Sequence, residues 1–507
     1  VLGPASRVEA RDHVVVDTRA RAIDGALGRG SELNEGGTVT LERAEVRSNR
    51  DTGIQLFAST LDATDLVVQG TTETPTGLGR GVVAQDGSRL TLERAAVVDN
   101  QAIGVLVRDE GSQGTLTDLR VAETRESVET PGGGLGLFVD AGATVTLTRG
   151  WLDGNRGAAL SVEDGGDASV EDLLVTDTQV EAELEVLGAG IRCLDGTLDV
   201  SRSLLERNVA VGVIAEQSCE LSFRDGTIRD TRSLPRPEFA DLSYGLVALG
   251  AGRVLVERVI VEGSRSVGLA AFTMGELVLS DVVVRDPAFG MPAVAGVGLL
   301  VGFGGRAQAQ RLLVDGCSLA GLFALEGDVT LSDAIIRDTT SFDDEVYGHG
   351  ISASEASVLD LRRIVLSRNL ETGLVVSDRA TAVVRDLLVE DTRGPDCSPG
   401  CTDRAPGSSL AAYADGRLDV ARFELVGGAT CGVQLASDAE LDLRNGVVRD
   451  HPIAVCLQVA NYPQERLRND VRYTENGVLV ESTALPSPVS LEMLAAQLAP
   501  LLDTDEG

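Results

Sequence analysis

A repeated template constrains this chain more than any other feature of its 507 residues. Three segments carry the template: VTLERAEVRSNRDTGIQLFAS from Val39, LTLERAAVVDNQAIGVLVRDE from Leu90 and LDLRRIVLSRNLETGLVVSDR from Leu359. Each has an alternating apolar and polar run, a second short run, a turn with Asn, and a third run that opens near Gly. Alternation with a period of two, broken by turn residues, is typical of short β-strands. The repeating unit therefore predicts three strands.

The glycine near the third strand recurs at intervals of 51–59 residues, which is the length of two turns of chain. We place it at Gly53, Gly104, Gly157, Gly212, Gly268, Gly321, Gly373 and Gly432. Every second turn is longer and carries an insertion. Each turn leaves strand edges that only a neighbour can pair, so the turns must stack as coils with a continuous core. The pattern predicts an all-β solenoid of about 18 three-strand coils with insertions on alternate coils.

This strand, turn, strand, Gly, strand coil resembles the right-handed parallel β-helix superfamily, which includes pectate lyases, polygalacturonases, tailspikes and many surface proteins. The resemblance covers nearly the whole chain and implies a right-handed parallel β-helix with the pectate-lyase-like fold. Because one fold hosts many activities, the resemblance does not assign a function.

We expect one β-helix domain over residues 1–485 and a C-terminal helix or tail over 486–507. Leu491, Leu494, Leu498 and Leu501 follow Ser490 at helical spacing, as expected behind a Ser N-cap. A helix here would cover the open end of the stack and its unpaired strand edge. The alternative is a helix that binds a partner.

Charge excludes several partners. The 44 basic residues are all arginine and face 78 acids, for a net charge of -34, so we expect neither nucleic acid nor an anionic membrane surface as a partner. We also expect no membrane insertion, a monomer, no cofactor and no specific metal, with only weak, non-stoichiometric Ca²⁺ binding. The chain opens at Val1, and we expect an extracellular or cell-surface protein whose signal or anchor segment is missing from this sequence.

Cysteine and asparagine both mark turns. Cys397 and Cys401 flank a Ser-Pro-Gly turn, which favours a local disulfide over a redox or metal role; the pairing of the other cysteines stays open. Five coils place Asn before the third strand, where it tolerates left-handed backbone and where stacked amides can bond one another. These are Asn49, Asn100, Asn155, Asn208 and Asn369. Cys317 fills the same position, which favours a packing role over a nucleophile.

The insertions leave the coil at one point, after pairs such as Asp177-Thr178 and Asp338-Thr339. We therefore expect them to line one side of the stack as a ridge. Paired carboxylates on such a ridge could serve as the acid and base of glycoside hydrolysis. The catalytic candidates are Asp343, Asp344, His349 and Asp241, and the binding candidates are Glu238, Tyr244, Glu345, Tyr347, Asp396 and Asp403.

Gly348-His349-Gly350 is similar to the Gly-His-Gly element of polygalacturonase-type glycoside hydrolases. The repeat offers another interpretation, because Gly188-Ala189-Gly190 and Gly296-Val297-Gly298 occupy the same position. The companion elements of that family are not found in the required order, and no trio of Asp on consecutive third strands suggests a lyase. His13 and His451 have no partner visible at triad or metal-ligand spacing.

These observations favour a non-catalytic, secreted or cell-surface β-helix, an adhesin-like scaffold that presents a one-sided loop ridge. Its partner would be a polysaccharide or a surface protein. The alternative is a carbohydrate-active enzyme, either a hydrolase or a lyase, that acts on an acidic or neutral polysaccharide.

Overall fold

The computed structural model describes residues 6–23, 25–75, 79–128, 133–180, 188–234, 243–287, 296–340, 348–394, 407–482 and 485. The chain forms two compact units. Unit 1 comprises Val1–Leu234 and Ala251–Leu255, and unit 2 comprises Pro235–Gly250 and Val256–Gly507. The strand Arg253–Glu262 is divided between them.

Unit 1 contains two parallel sheets, which we name by the length of their strands. The long-strand sheet contains Arg7–Arg11, Val14–Val16, Thr38–Arg47, Thr60–Gln69, Arg89–Val98, Gln113–Ala122, Thr144–Asp153, Asp167–Thr176, Thr197–Glu206, Glu220–Arg224 and Thr227–Arg229. The short-strand sheet contains Ser31–Leu33, Thr52–Phe57, Arg80–Gln85, Ile103–Arg108, Leu135–Asp140, Ala158–Glu163, Ala189–Leu194 and Val211–Glu216. Successive strands of each sheet pair in parallel, as Gln113–Ala122 does with Thr144–Asp153.

Unit 2 repeats the same two sheets. Its long strands after residue 262 are Glu276–Arg285, Arg306–Asp315, Asp328–Arg337, Val358–Ser367, Thr381–Glu390, Arg417–Val426, Glu440–Arg449 and Asn469–Thr474. Its short strands are Tyr244–Leu249, Val267–Phe272, Val297–Gly302, Ala320–Leu325, His349–Ser354, Thr372–Val376, Ser408–Ala412, Cys431–Leu435, Ile453–Leu457 and Val478–Glu481. A 3₁₀ turn at Gln464–Leu467 precedes the last long strand.

A single residue bends each long strand. In Gln113–Ala122 this residue is Asp118, which has a φ of 53° and drops out of the otherwise continuous pairing with Thr144–Asp153. Arg149 occupies the same place in the next strand with a φ of 58°. The two predicted strands before the Asn turn are therefore one ten-residue strand folded at a left-handed residue, and the third predicted strand is the short strand.

The core between the sheets is aliphatic. Along Arg89–Val98 the buried side chains are Leu90, Leu92, Ala95 and Val97, two on each side of the bend at Arg94. Alternate residues face outward, as period-two geometry requires. Fully burying one such leucine contributes about 1.5–3 kcal/mol, so the repetition of this pattern in every coil drives folding.

The predicted parallel β-helix is confirmed in both units. One detail of the repeat was wrong: the residue that stacks on Gly136 is Ala159, and Gly157 lies two positions earlier. The single domain over 1–485 stays a prediction. The C-terminal helix from Ser490, like the Cys397–Cys401 disulfide, lies outside the described residues.

Candidate functional site

The insertions of each unit leave and re-enter the coil at one place, the turn between a long strand and the next short strand. We call it the insertion turn. In unit 1, Gly188 re-enters so close to Gln179 that an added Cβ would lie 3.1 Å from the Gln179 carbonyl carbon. In unit 2, the same construction at Gly348 would lie 3.0 Å from the carbonyl carbon of Thr340. The two ends of an insertion therefore meet at the coil surface.

The predicted Asn residues lie buried in this turn, in the coils that have no insertion, which we call plain coils. We had expected these amides to stack and bond one another, but they do not. The Asn100 Oδ1 instead accepts a hydrogen bond from the Thr71 N–H at 3.0 Å, and its Nδ2 donates to the Val68 carbonyl at 3.2 Å. Asn155 bonds Thr124 and Val121 in the same way.

Asn itself is not left-handed. The residue before it is, for example Asp99 with a φ of 54° and Arg207 with a φ of 57°, and so is the residue two positions after it, for example Ala102 with a φ of 64°. In the coils that carry insertions, the left-handed position holds the Asp of the Asp-Thr pairs, such as Asp177 at 54° and Asp338 at 56°. Asn is used here because one amide both accepts and donates, which a buried turn requires.

A row of ion pairs at the strand bends was not predicted. As far as Arg422 the bend residue alternates between Asp and Arg from coil to coil. Seven of these Arg residues each bind the Asp of the coil before through two hydrogen bonds. Arg149 binds Asp118 at 2.6 and 2.8 Å, and Arg422 binds Asp386 at the same distances. The pairs are Asp12–Arg43, Asp65–Arg94, Asp118–Arg149, Asp172–Arg202, Asp281–Arg311, Asp333–Arg363 and Asp386–Arg422.

These ion pairs lie at the surface. The hydrogen bond from Arg149 lowers the pKa of the Asp118 carboxyl, and Arg363 does the same for Asp333. The alternation was visible in the sequence at the sixth position of each long strand. It could be recognised only once that position was known to be a bend whose side chains lie side by side.

His349 is the one predicted catalytic candidate within the described residues. It opens the strand His349–Ser354, it is fully buried, and its Nε2 lies 3.2 Å from the Glu371 Oε2. Glu371 is also fully buried and precedes the next short strand with a φ of 60°. Its Oε1 has no hydrogen-bond partner among the described residues. Glu371 was not predicted as a site residue. Asp51 holds the same position in the segment from Val39, but the repeat does not reveal that the Glu371 carboxylate lies beside a histidine of the coil before it.

The outer face of the short-strand sheet combines apolar and polar side chains in both units. In unit 1, Ile103 packs with Phe138, and Thr52 is buried and polar. In unit 2, Val375 packs with Ala411, and Thr372 holds the position of Thr52. The presence of polar residues on this face therefore does not distinguish the two units.

Tyr244 was predicted to lie on the exposed ridge, and this was wrong. It opens the strand Tyr244–Leu249, and only 6% of its surface is exposed. Its ring packs edge-on against Phe272, with 6.1 Å between the ring centroids. Burial raises the pKa of its hydroxyl. The other ridge and catalytic candidates lie outside the described residues: Glu238, Asp241, Asp343, Asp344, Glu345, Tyr347, Asp396 and Asp403.

His451, for which the sequence shows no partner at triad or metal-ligand spacing, has two hydrogen-bond partners in the structure. Its Nε2 lies 3.0 Å from the Ser409 Oγ, and its backbone N–H donates to the Asn476 Oδ1 at 3.1 Å. It thus fills the place that Thr holds in other insertion turns. Both side chains are buried, and burial lowers the pKa of the imidazole. This geometry is that of a packing residue.

Two disulfides join neighbouring coils. Cys193 pairs with Cys219 in unit 1, and Cys431 pairs with Cys456 in unit 2. Cys317 is a free, buried thiol whose pKa is raised by burial, in agreement with the packing role predicted for it. Closing a loop of about 26 residues stabilises a fold by about 3 kcal/mol.

In the part of the chain that the structure describes, no three His, Cys, Asp or Glu side chains come together as metal ligands. Within the same part of the chain, the structure contains no helix with the length and apolar character needed to span a bilayer.

Comparison with known proteins agrees with the fold. Residues 22–175 match the family described as "Right handed beta helix region". The predicted resemblance is therefore confirmed over this segment. Curated proteins give no match to the chain.

Solved structures with similarity include the A-module of the mannuronan C-5 epimerase AlgE4 of Azotobacter vinelandii, at 12% identity and a TM-score of 0.27, covering 90% of this chain and 91% of that one. The PL6 family alginate lyase AlyGC has 10% identity and a TM-score of 0.28, with 95% and 98% covered. The tailspike of E. coli bacteriophage HK620, in complex with a pentasaccharide, has 12% identity and a TM-score of 0.33, with 87% and 72% covered. Likenesses this low carry no argument about activity.

Proposed function

We propose that this chain is a non-catalytic, secreted or cell-surface β-helix that presents its insertions on one side of each unit. The observation that carries the proposal is the insertion turn. In alternate coils of each unit, the described ends of the insertions meet at the same turn, above a core that continues without interruption. A fold of this kind can vary its loops while its coils stay unchanged.

The disulfides support the location. Cys193–Cys219 and Cys431–Cys456 would persist only in an oxidising compartment, such as a periplasm or the outside of a cell. The partner we propose is a polysaccharide or a surface protein, bound by the ridge. With a net charge of -34, the chain would avoid nucleic acid, remain a monomer and attract Ca²⁺ only weakly.

Excision of one insertion tests whether the coils are independent of it. We would delete residues 395–406 and join Gly394 to Gly407, whose added Cβ would lie 2.8 Å from the Gly394 nitrogen. We expect the melting temperature to stay within about 2 °C of the parent, because the coil closes without the insertion. The matched control deletes the strand Ser408–Ala412, which should unfold the neighbouring coils. A fall of about 10 °C on excision of the loop would contradict presentation by an independent coil.

A second candidate, a carbohydrate-active enzyme, is favoured by one observation. His349 and Glu371 form a buried pair of a histidine and a carboxyl side chain. His349 follows the 341–347 insertion in the sequence, and that insertion contains Asp343 and Asp344. Such a pair can move a proton if a substrate reaches it.

A panel of plant, algal and bacterial polysaccharides separates the two proposals. Reducing ends and unsaturated products would be measured with and without Ca²⁺, for the parent and for the variants His349→Ala, Glu371→Gln and Asp343→Ala. We expect no product from any of them. Activity in the parent that falls in these variants, but not in the outward-facing control Thr146→Ala, would replace the scaffold by the enzyme.

A further inference from the structure

We infer that each plain coil with Asn in its insertion turn positions the insertion of the coil before it, so that this insertion-bearing coil and the plain coil after it act together as the unit of presentation. The inference rests on the proposed function only for its purpose, which is to hold a loop. The contacts that carry it are independent of what the loop does.

The first contact holds the point where the insertion departs. The Asn of the plain coil accepts from the backbone N–H of the Thr that precedes the insertion, always in the coil before it. The bonds are Thr18 to Asn49 at 3.1 Å, Thr71 to Asn100 at 3.0 Å, Thr124 to Asn155 at 3.2 Å, Thr178 to Asn208 at 3.2 Å and Thr339 to Asn369 at 3.4 Å. In the described part of the chain, none of these Asn side chains bonds the coil after it.

The second contact holds the point where the insertion returns. The returning Gly packs on the residue that follows the Asn of the plain coil. An added Cβ would lie 2.6 Å from the Arg156 Cβ at Gly134, 2.8 Å from the Gln101 Cβ at Gly79, and 2.6 Å from the Leu370 Cβ at Gly348. Gln101 also donates its N–H to the Gly79 carbonyl at 3.0 Å. At these three positions a residue larger than glycine would collide with the plain coil.

The coil on the other side contributes in a different way. It bonds the insertion ends through the backbone, as when Gln179 donates to the Asn155 carbonyl at 2.9 Å. In two coils the Arg after the Thr adds a side-chain bond to that coil: Arg125 pairs with Asp99, and Arg393 donates to the Arg368 carbonyl. The side chain of Asn155 points back to Thr124, while its carbonyl accepts from the coil ahead. Removal of the side chain should therefore affect one neighbour only.

Asn in the plain coil and Thr in the insertion-bearing coil form one hydrogen-bonded pair, so in these coils the pair recurs every two coils. An insertion moved to another β-helix should therefore travel with the plain coil that follows it.

Hydrogen exchange measured by mass spectrometry on the full chain tests whether the Asn side chain stabilises the coil before it and not the coil after it. In Asn155→Ala, we expect amide exchange to rise about tenfold in peptides that cover 119–128, because the Thr124 N–H and the Val121 carbonyl lose their partner. Peptides that cover 170–180 should exchange as in the parent. The control is Thr146→Ala, an exposed change in the same coil that should alter neither region.

Two outcomes would overturn the inference: an equal or larger rise over 170–180, or no rise over 119–128. If Asn155→Ala does not fold, Asn369→Ala in unit 2 gives the same test, with 331–340 compared against 386–394. A positive result would stand even if the polysaccharide panel revealed an enzyme, so failure here and failure of the proposed function are distinguishable.

Discussion

The bend and the insertion turn of one coil both join it to the coil before it, but one contact is exposed and the other is buried. At the bend, Arg149 reaches back to Asp118 through two hydrogen bonds, and the side chains are 54% and 40% exposed. At the insertion turn, Asn155 reaches back to Val121 of the same strand and to Thr124, two residues beyond the end of that strand, but it is fully buried. Both residues connect the same pair of coils, so the two turns form a natural internal comparison.

The comparison shows that the most regular feature of the surface is not what holds the coils together. An exposed ion pair adds little to the free energy of unfolding, because water competes for both groups and two long side chains must be ordered. Removing a buried amide lowers the stability of the fold more, since its partners would be left in the core without hydrogen bonds. The bend row therefore mainly keeps the acidic chain's charges paired, while the insertion turn stabilises the stack.

The largest effect is expected where the insertion turn uses a hydroxyl. The Thr339 Oγ1 lies within hydrogen-bond reach of the Gly348 carbonyl, and it accepts from the Leu370 N–H at 3.2 Å. Thr339→Val keeps the shape but removes these bonds. We expect a loss of about 1–3 kcal/mol in the free energy of unfolding, measured by chemical denaturation.

Thr392→Val is the matched control in the same unit. The Thr392 Oγ1 is buried and has no hydrogen-bond partner among the described residues, so replacing it with a methyl group should cost about 0–0.5 kcal/mol. Equal losses in the two variants would show that the hydroxyl of Thr339 does not matter and that the turn depends on shape alone.

A smaller effect should appear as a pH step at His451. Burial lowers the pKa of this imidazole below its ordinary value of 6.5. The unfolded chain then takes up a proton that the folded chain does not, so stability is lost as the pH falls below about 6.5. His451→Gln should reduce the change in melting temperature between about pH 8 and 5.5. His13→Gln, which lies outside this turn, should leave that change as it is in the parent. An unchanged slope in His451→Gln would remove this histidine from the account.

The smallest effect is expected at the bend. Hydrogen bonds from Arg lower the pKa of Asp118 and its equivalents below the ordinary value of 3.8. A carboxyl with a lowered pKa stabilises the fold above that value, and this contribution disappears as the pH falls through the lowered pKa. The difference in melting temperature between the parent and Asp118→Asn should therefore shrink between about pH 5 and 3. A difference that grows on acidification would contradict the pairing.

The fold was predictable because the period of the repeat reports the core directly. Apolar residues recur in the coils at the positions of Leu90, Leu92 and Val97, and stacking the coils buries them in one core. The bend was not predictable, because one left-handed residue such as Asp118 interrupts a strand without a Gly or Pro to mark it. Tyr244 was misplaced for a related reason: it adjoins an insertion in sequence, but it already belongs to the strand.

The candidate site could be predicted only in part. His349 stood out from the Gly-x-Gly pattern, but Glu371 comes from the next coil, and sequence proximity cannot reveal a contact across coils. The Asn and Thr positions were each recognised, yet as separate features. Their connection depends on which coils lie next to each other, and this is set by register, which the repeat defines only once strands are paired.

Thermal unfolding of Asn155→Ala and Arg149→Ala, measured side by side at about 0.1 M and 1 M salt, tests the central claim most directly. We predict that Asn155→Ala lowers the melting temperature clearly and equally at both salt concentrations. Arg149→Ala should give less than about a third of that shift at low salt, and almost none at high salt, because the exposed pair is screened. A shift for Arg149→Ala equal to or larger than that for Asn155→Ala would contradict the account, since the bend and not the insertion turn would then hold neighbouring coils together.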